Sequence, residues 1–155
     1  MSPQKDGKLL EADRVVLSAV LDRLIPPVDD LAGAGAMGLG SKVEQRSRRS
    51  QVHRGALAAV LDAVSLDTSV HAAGGFLALS EERQDDVLRF IETTIPEQFE
   101  TFLHLIYTVY YMEPAVLKRV GWPDGPPQPE GFELPPFDES VLDEARKREP
   151  FWRRA

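Results

Sequence analysis

Six residues near the first quarter of the chain, Gly33-Ala34-Gly35-Ala36-Met37-Gly38, spell a literal G-x-G-x-x-G. In a dinucleotide fold that run leaves a strand and opens a helix, so that backbone amides and the helix dipole meet a pyrophosphate. Here it follows a helical stretch closed by Pro26-Pro27 and the acidic pair Asp29-Asp30, which would repel phosphate. No strand–helix–strand pattern surrounds it. The reading is a loop whose small residues allow tight turning and close packing. The three histidines, His53, His71 and His104, lie far apart, and no H-x-x-x-H or E-x-x-H spacing brings two metal ligands onto adjacent helical turns. His104 shares a helical face with Thr108 and Tyr111, with Tyr107 one turn along. A histidine among tyrosines can relay a proton, although a hydrogen-bonded histidine at a domain surface or core edge is the commoner arrangement. There is no G-x-S-x-G nucleophile elbow. The absence of cysteine removes disulfides, thiolate metal sites and cysteine nucleophiles together. The sequence therefore offers no catalytic, cofactor-binding or metal-binding residue.

What stands out instead is aromatic. Tyr107, Tyr110 and Tyr111 fall together, and Trp122, Phe132, Leu134 and Phe137 follow among the prolines that begin at Pro123. Two readings stay open for these residues: core packing with self-docking of the tail, or an interface, where tyrosine and tryptophan combine contact area with a polar handle. The formal net charge of −7 argues against a nucleic-acid binder. Lys42, Arg46, Arg48, Arg49, His53 and Arg54 form one basic stretch, interrupted by Glu44 and lacking aromatics to stack on bases. It reads as a solvated helix face.

The elements that would position these groups are helical. Leu9, Ala12, Val16, Ala19, Val20 and Leu24 recur at three- and four-residue steps, which predicts a helix from Leu9 to Ile25, stopped by the prolines. A second helical region is expected from Ser41 to Ala72, with a break around Ser47 to Ser50, an apolar stripe of Leu57, Val60, Leu61 and Val64, and an end at Gly74-Gly75. Ser80 caps the next helix, which carries Val87, Leu88 and Ile91 inward and fades near Thr93-Thr94. Pro96 opens a strongly apolar central helix bearing Phe99, Phe102, Leu103, Ile106, Val109 and Tyr110. Glu113-Pro114 ends it, and a short helix over Ala115 to Val120 closes on Gly121.

From Trp122 to Phe137 the prolines favour extended or polyproline backbone, and Asp138 caps a final short helix with acids leading and bases trailing. No strand-type alternation or internal repeat occurs, and no segment approaches the ~20 apolar residues of a membrane span. The fold class is all-α: a small irregular helical bundle, with a helical domain over 1–121. Residues 122–155 form an extended Pro-rich, aromatic segment and terminal helix, docked on the domain or on a partner.

Three groups of residues carry a more specific likeness. Leu21-Asp22-Arg23-Leu24-Ile25-Pro26-Pro27 with the glycine loop, then Phe76-Leu77-Ala78-Leu79-Ser80-Glu81-Glu82-Arg83-Gln84, then Tyr110-Tyr111-Met112-Glu113-Pro114 and Val120-Gly121-Trp122, occur in the order found in the gluconate 2-dehydrogenase subunit 3 family. From the first helix to Trp122 the chain resembles that family. The resemblance implies a small helical accessory subunit that aids the maturation, stability or export of a flavin-dependent partner of the glucose–methanol–choline type. FAD and the catalytic base would belong to that large subunit, which oxidises sugars or other alcohols. Many family members carry a twin-arginine export signal. The start Met1 to Lys8 is polar and Arg48-Arg49 is internal, so the expectation is a cytoplasmic complex; the alternative is periplasmic, if the chain is exported with its partner or a signal was trimmed. Two other readings stand beside this one: a self-associating helical interaction protein without a redox partner, and a small enzyme built on His104, Tyr107 and Tyr111.

Overall fold

The computed structural model of the chain describes residues 9–122 and 137–148, which fall into two units, one ending at Trp122 and one beginning after it. Regular structure among the described residues is helical, apart from an isolated bridge between Val28 and Leu31.

Helix α1 runs Glu11–Leu24, with Glu11 and Asp13 in its first turn where the helix dipole favours acids. It starts two residues later than the apolar periodicity suggests, and its buried stripe is Leu17, Val20 and Leu21. Ala12 is exposed, and Leu9 is buried ahead of the helix. Two overlapping stripes share this helix, and the one with the larger side chains removes more apolar surface from water. Helix α2 is Leu39–Ser47 and α3 is Gln51–Leu66. The break falls at Ser47 to Ser50 as expected, where the Ser50 hydroxyl accepts from the His53 amide. The expected continuation to Ala72 is corrected by a second break. Asp67 takes extended backbone and its carboxylate accepts from the Ser69 and Val70 amides, starting a separate helix α4, Thr68–Ala73. A side chain that satisfies two orphan amides competes well with helix continuation. Gly74, at φ +82°, then ends α4.

A 3-10 turn, Phe76–Ala78, buries Phe76 and leads to Ser80, whose hydroxyl caps α5, Glu81–Thr94. Pro96 opens α6, Pro96–Tyr110, and Pro114 opens α7, Pro114–Arg119, which closes on Gly121 at φ +73°. Helix α6 is central, packing on α3, α2 and α5, while α1 lies against α2, α3 and α5. Its residues Phe99, Phe102, Leu105, Ile106 and Val109 are buried. Each such side chain contributes about 2 kcal/mol by leaving water. The sequence stripe left out Leu105, which completes the i, i+3 row with Phe102.

Two ion-pair clusters fasten the helices. Glu44 of α2 is only 4% exposed; it accepts from the Leu9 amide at 3.1 Å, Arg14 Nε at 3.0 Å and an Arg48 guanidinium nitrogen at 2.6 Å. Burial pushes this carboxyl up, but hydrogen bonds from Arg14, the Leu9 amide and Arg48 together hold it below its ordinary value. Arg23 of α1 grips Asp85 of α5 through two bonds of 2.8 Å and also pairs with Glu81 at 2.7 Å. The Asp85 hydrogen bond raises the Arg23 pKa, and Arg23 depresses that of Asp85.

In the second unit, Asp138 accepts from the Ser140 amide at 3.0 Å and starts a 3-10 turn, Glu139–Leu142, that runs into α8, Asp143–Arg146.

Candidate partner-binding face

The glycine loop already holds an anion of its own. Asp22 points from α1 into it and accepts from the Ala36 amide at 3.0 Å. Other loop amides are committed as well: Ala34 donates to Ile25, Met37 to Gly33 and Gly38 to Gly35. The glycines sit so near α1 that a Cβ on Gly35 would stand 2.0 Å from the Ser18 carbonyl oxygen, and one on Gly33 2.3 Å from Asp22 Oδ1. A carboxylate thus already takes the Ala36 amide, and the small residues serve helix–loop packing. A shallow groove of about 740 Å³ runs beside this loop, lined by Asp22, Arg23, Pro26, Leu77 and Gln84 among others. Its polar groups are engaged: Arg23 with Asp85, and Gln84 Nε2 with the Phe76 and Leu79 carbonyls.

His104 is exposed on α6, and among the described residues its ring makes no hydrogen bond. The Thr108 hydroxyl donates to its backbone carbonyl at 2.7 Å, so the threonine that shares its face serves the helix. No group of three or more His, Asp or Glu among the described residues could hold a metal ion, and no described helix is long and apolar enough to cross a membrane.

The aromatic residues gather where α6 gives way to α7. Tyr107 and Tyr111, one turn apart, have ring centroids 6.4 Å apart, and Tyr110 meets Tyr111 edge-on at 5.3 Å. Tyr107 and Tyr111 are exposed, whereas Tyr110 turns inward and packs against the core. Its place in the face is therefore to hold the Tyr111 ring. Trp122, 47% exposed, is tied to α7 by its amide, which donates to the Leu117 carbonyl at 2.9 Å. Phe137 is exposed in the second unit. Pro123, Phe132 and Leu134 lie outside the described residues.

Met112 and Val120, which the family-like motifs contain but the aromatic cluster does not, are exposed in the same corner. The signal for them was local: both lie next to helix ends, where apolar residues lose the neighbours that would cover them.

The corner itself is pinned from two sides. Lys42 Nζ of α2 donates to both Glu113 oxygens, at 2.6 and 2.8 Å. Arg119 of α7 grips Asp29 and Asp30 together. These two acids form the tip of a tight turn closed by reciprocal Val28–Leu31 amide bonds of 3.0 Å, with Asp29 at φ +52°. Exposed pairs contribute little stability each, but they fix geometry.

A family model described as gluconate 2-dehydrogenase subunit 3 matches residues 11–125. The chain belongs to that family. The match takes in α1 through α7 and runs just past Trp122, so the glycine loop seated on Asp22, the Arg23–Asp85 fastener and the α6–α7 corner are all inside the subunit 3 region. The second unit lies beyond it. No curated protein and no solved structure matched the chain.

Proposed function

We propose that this chain is a non-catalytic small subunit that binds an FAD-dependent alcohol or sugar dehydrogenase or oxidase large subunit, of the glucose–methanol–choline type, and stabilises it or aids its maturation. Membership of the gluconate 2-dehydrogenase subunit 3 family carries this reading. The use of polar groups in the fold supports it: Asp22, Arg23, Glu44, Gln84, Asp85 and Glu113 all hold helices or loops together. In this reading FAD and the reacting groups sit on the large subunit, and the small subunit supplies contact area through Tyr107, Tyr111, Met112 and Trp122. The complex is proposed to be cytoplasmic, the alternative being a periplasmic complex exported as a unit.

Co-expression with the adjacent flavoprotein gene tests the proposal. The expected result is one yellow complex on gel filtration. Two separate peaks, with the flavoprotein fully active alone, would overturn it. Within such a complex, truncating Tyr111 and Trp122 together to alanine is expected to weaken association by about 2 kcal/mol or more, the range of aromatic anchors at interfaces.

A further inference from the structure

The basic stretch of the sequence does not lie on one solvated face. Its first half is carried by α2 and the turn after it, and packing brings Lys42, Arg46 and Arg49 opposite the end of α6 across an open cleft of about 300 Å³. The facing wall is apolar, made chiefly by Met112, which is 61% exposed, over the buried Val109, with Glu113 at the corner. Lys42 is neutralised by Glu113. Among the described residues, Arg46 and Arg49 meet no carboxylate, although the chain as a whole carries a net charge of −7.

We propose that this cleft binds an acidic peptide segment of a partner protein, one carboxylate on Arg46 and Arg49 and a neighbouring apolar side chain against Met112. The inference rests on the accessory-subunit reading and adds where, and by what chemistry, the partner is gripped. Guanidinium groups match a carboxylate's geometry and form charge-assisted hydrogen bonds. The methionine wall adapts to side chains of differing shape. An inorganic anion would use the arginines and leave Met112 in water, whereas a peptide covers both walls. On an acidic molecule the cleft is a local reversal of potential, which steers an acidic segment to this place and repels it elsewhere.

The full chain is titrated with a short fluorescein-labelled peptide in which glutamates flank a leucine, and binding is read by anisotropy. Saturable binding is expected. It should weaken by roughly tenfold or more in R46E/R49E, equal to about 1.4 kcal/mol, and also in R46Q/R49Q, but persist in R54E, which makes the same two-unit charge change as R46Q/R49Q outside the cleft. Replacing the peptide's leucine with serine should cost several-fold. Absence of binding, equal loss in R54E, or full displacement by inorganic phosphate at matched concentration would overturn the proposal. So would a wild-type dimer that R46E/R49E converts to monomer, since the occupant would then be a second copy. Circular dichroism confirms that the variants are folded. In the co-expression experiment, a flavoprotein that co-purifies equally with R46E/R49E overturns the cleft while leaving the accessory-subunit reading intact. A flavoprotein that fails to join the wild-type chain counts against that reading, and the peptide titration still decides the cleft.

Discussion

Replacing Gly35 with alanine would put a methyl carbon 2.0 Å from the Ser18 carbonyl oxygen and 2.7 Å from Asp22 Oδ2. A relaxed contact needs more than 3 Å, so the loop must move away from α1 by about 1 Å, because a backbone carbonyl cannot rotate aside. Overpacking of this kind costs typically 1–3 kcal/mol. The displacement also stretches the Ala36–Asp22 and Ala34–Ile25 bonds, each contributing about 1 kcal/mol. A total of about 3 kcal/mol is expected, which lowers the melting temperature of a domain this size by roughly 10 °C. Gly38 supplies the control. It has φ +74° but nothing near its missing Cβ, so alanine there meets only the left-handed backbone penalty of about 1–2 kcal/mol. Thermal melts followed by circular dichroism should order the proteins wild type, G38A, G35A. A G35A melt within about 2 °C of wild type, or one above G38A, would refute the packing argument. Millimolar NAD should leave the wild-type melt unmoved; a rise of several degrees would restore the nucleotide reading of the loop.

Truncating Glu44 to alanine strips acceptors from the Leu9 amide, Arg14 and Arg48 and is expected to cost about 2 kcal/mol by urea unfolding, less than for a wholly buried pair because both arginines reach solvent. Glu44 and Asp85 have folded pKa values below their ordinary 4.5 and 3.8, so their stabilisation is complete above about pH 4.5 and is lost as pH falls through the depressed values. Melts from pH 7 to pH 3 should show this decline, and a flatter acid slope in E44Q/D85N confirms its source. Arg119→Ala removes only exposed pairs and should move the melting temperature by less than about 3 °C. Amide exchange at Val28 and Leu31 should nonetheless rise, and unchanged exchange at Leu31 would show that Arg119 does not hold the turn.

The α5 and α6 boundaries were legible because strong local signals agreed there: Ser80 with two glutamates behind it, Pro96 at a first turn, and Glu113-Pro114 at the end. The break at Asp67 was not legible. An aspartate can lie on a helix surface as well as cap a new helix, and only the positions of the Ser69 and Val70 amides decide between them. The buried stripe on α1 was legible in part: Val20 is buried and Val16, Ala19 and Leu24 pack against the core as expected, but Leu17 and Leu21, one step round the helix, satisfy the same spacing and are buried more fully. In the glycine loop, the sequence showed that a nucleotide was in the wrong setting, but not that Asp22, eleven residues before Gly33, supplies the loop's own anion. The basic stretch held the larger surprise. Glu44, which looks like an interruption of it, is the buried centre of a cluster, and the arginines around it divide between that cluster and the cleft. A linear string of charges does not reveal which face of a helix meets a neighbour.

The corner between α6 and α7 is held at both ends by long-range ion pairs, Lys42 with Glu113 and Arg119 with Asp29 and Asp30. Glu113 directly follows the exposed Tyr111 and Met112, and Arg119 directly precedes Val120 and Trp122. The exposed apolar residues therefore sit immediately beside the two clamps. Apolar groups left in water at chain corners would ordinarily sample many rotamers and backbone positions, and ordering them costs free energy when a partner binds. Clamping the backbone on either side removes part of that cost before the encounter. The Arg119 pairs contribute little to folding, their acids being largely solvated, and yet in the proposed complex both clamps would bear on what the face contacts. In the proposed complex, their placement would serve presentation of Tyr111, Met112 and Trp122.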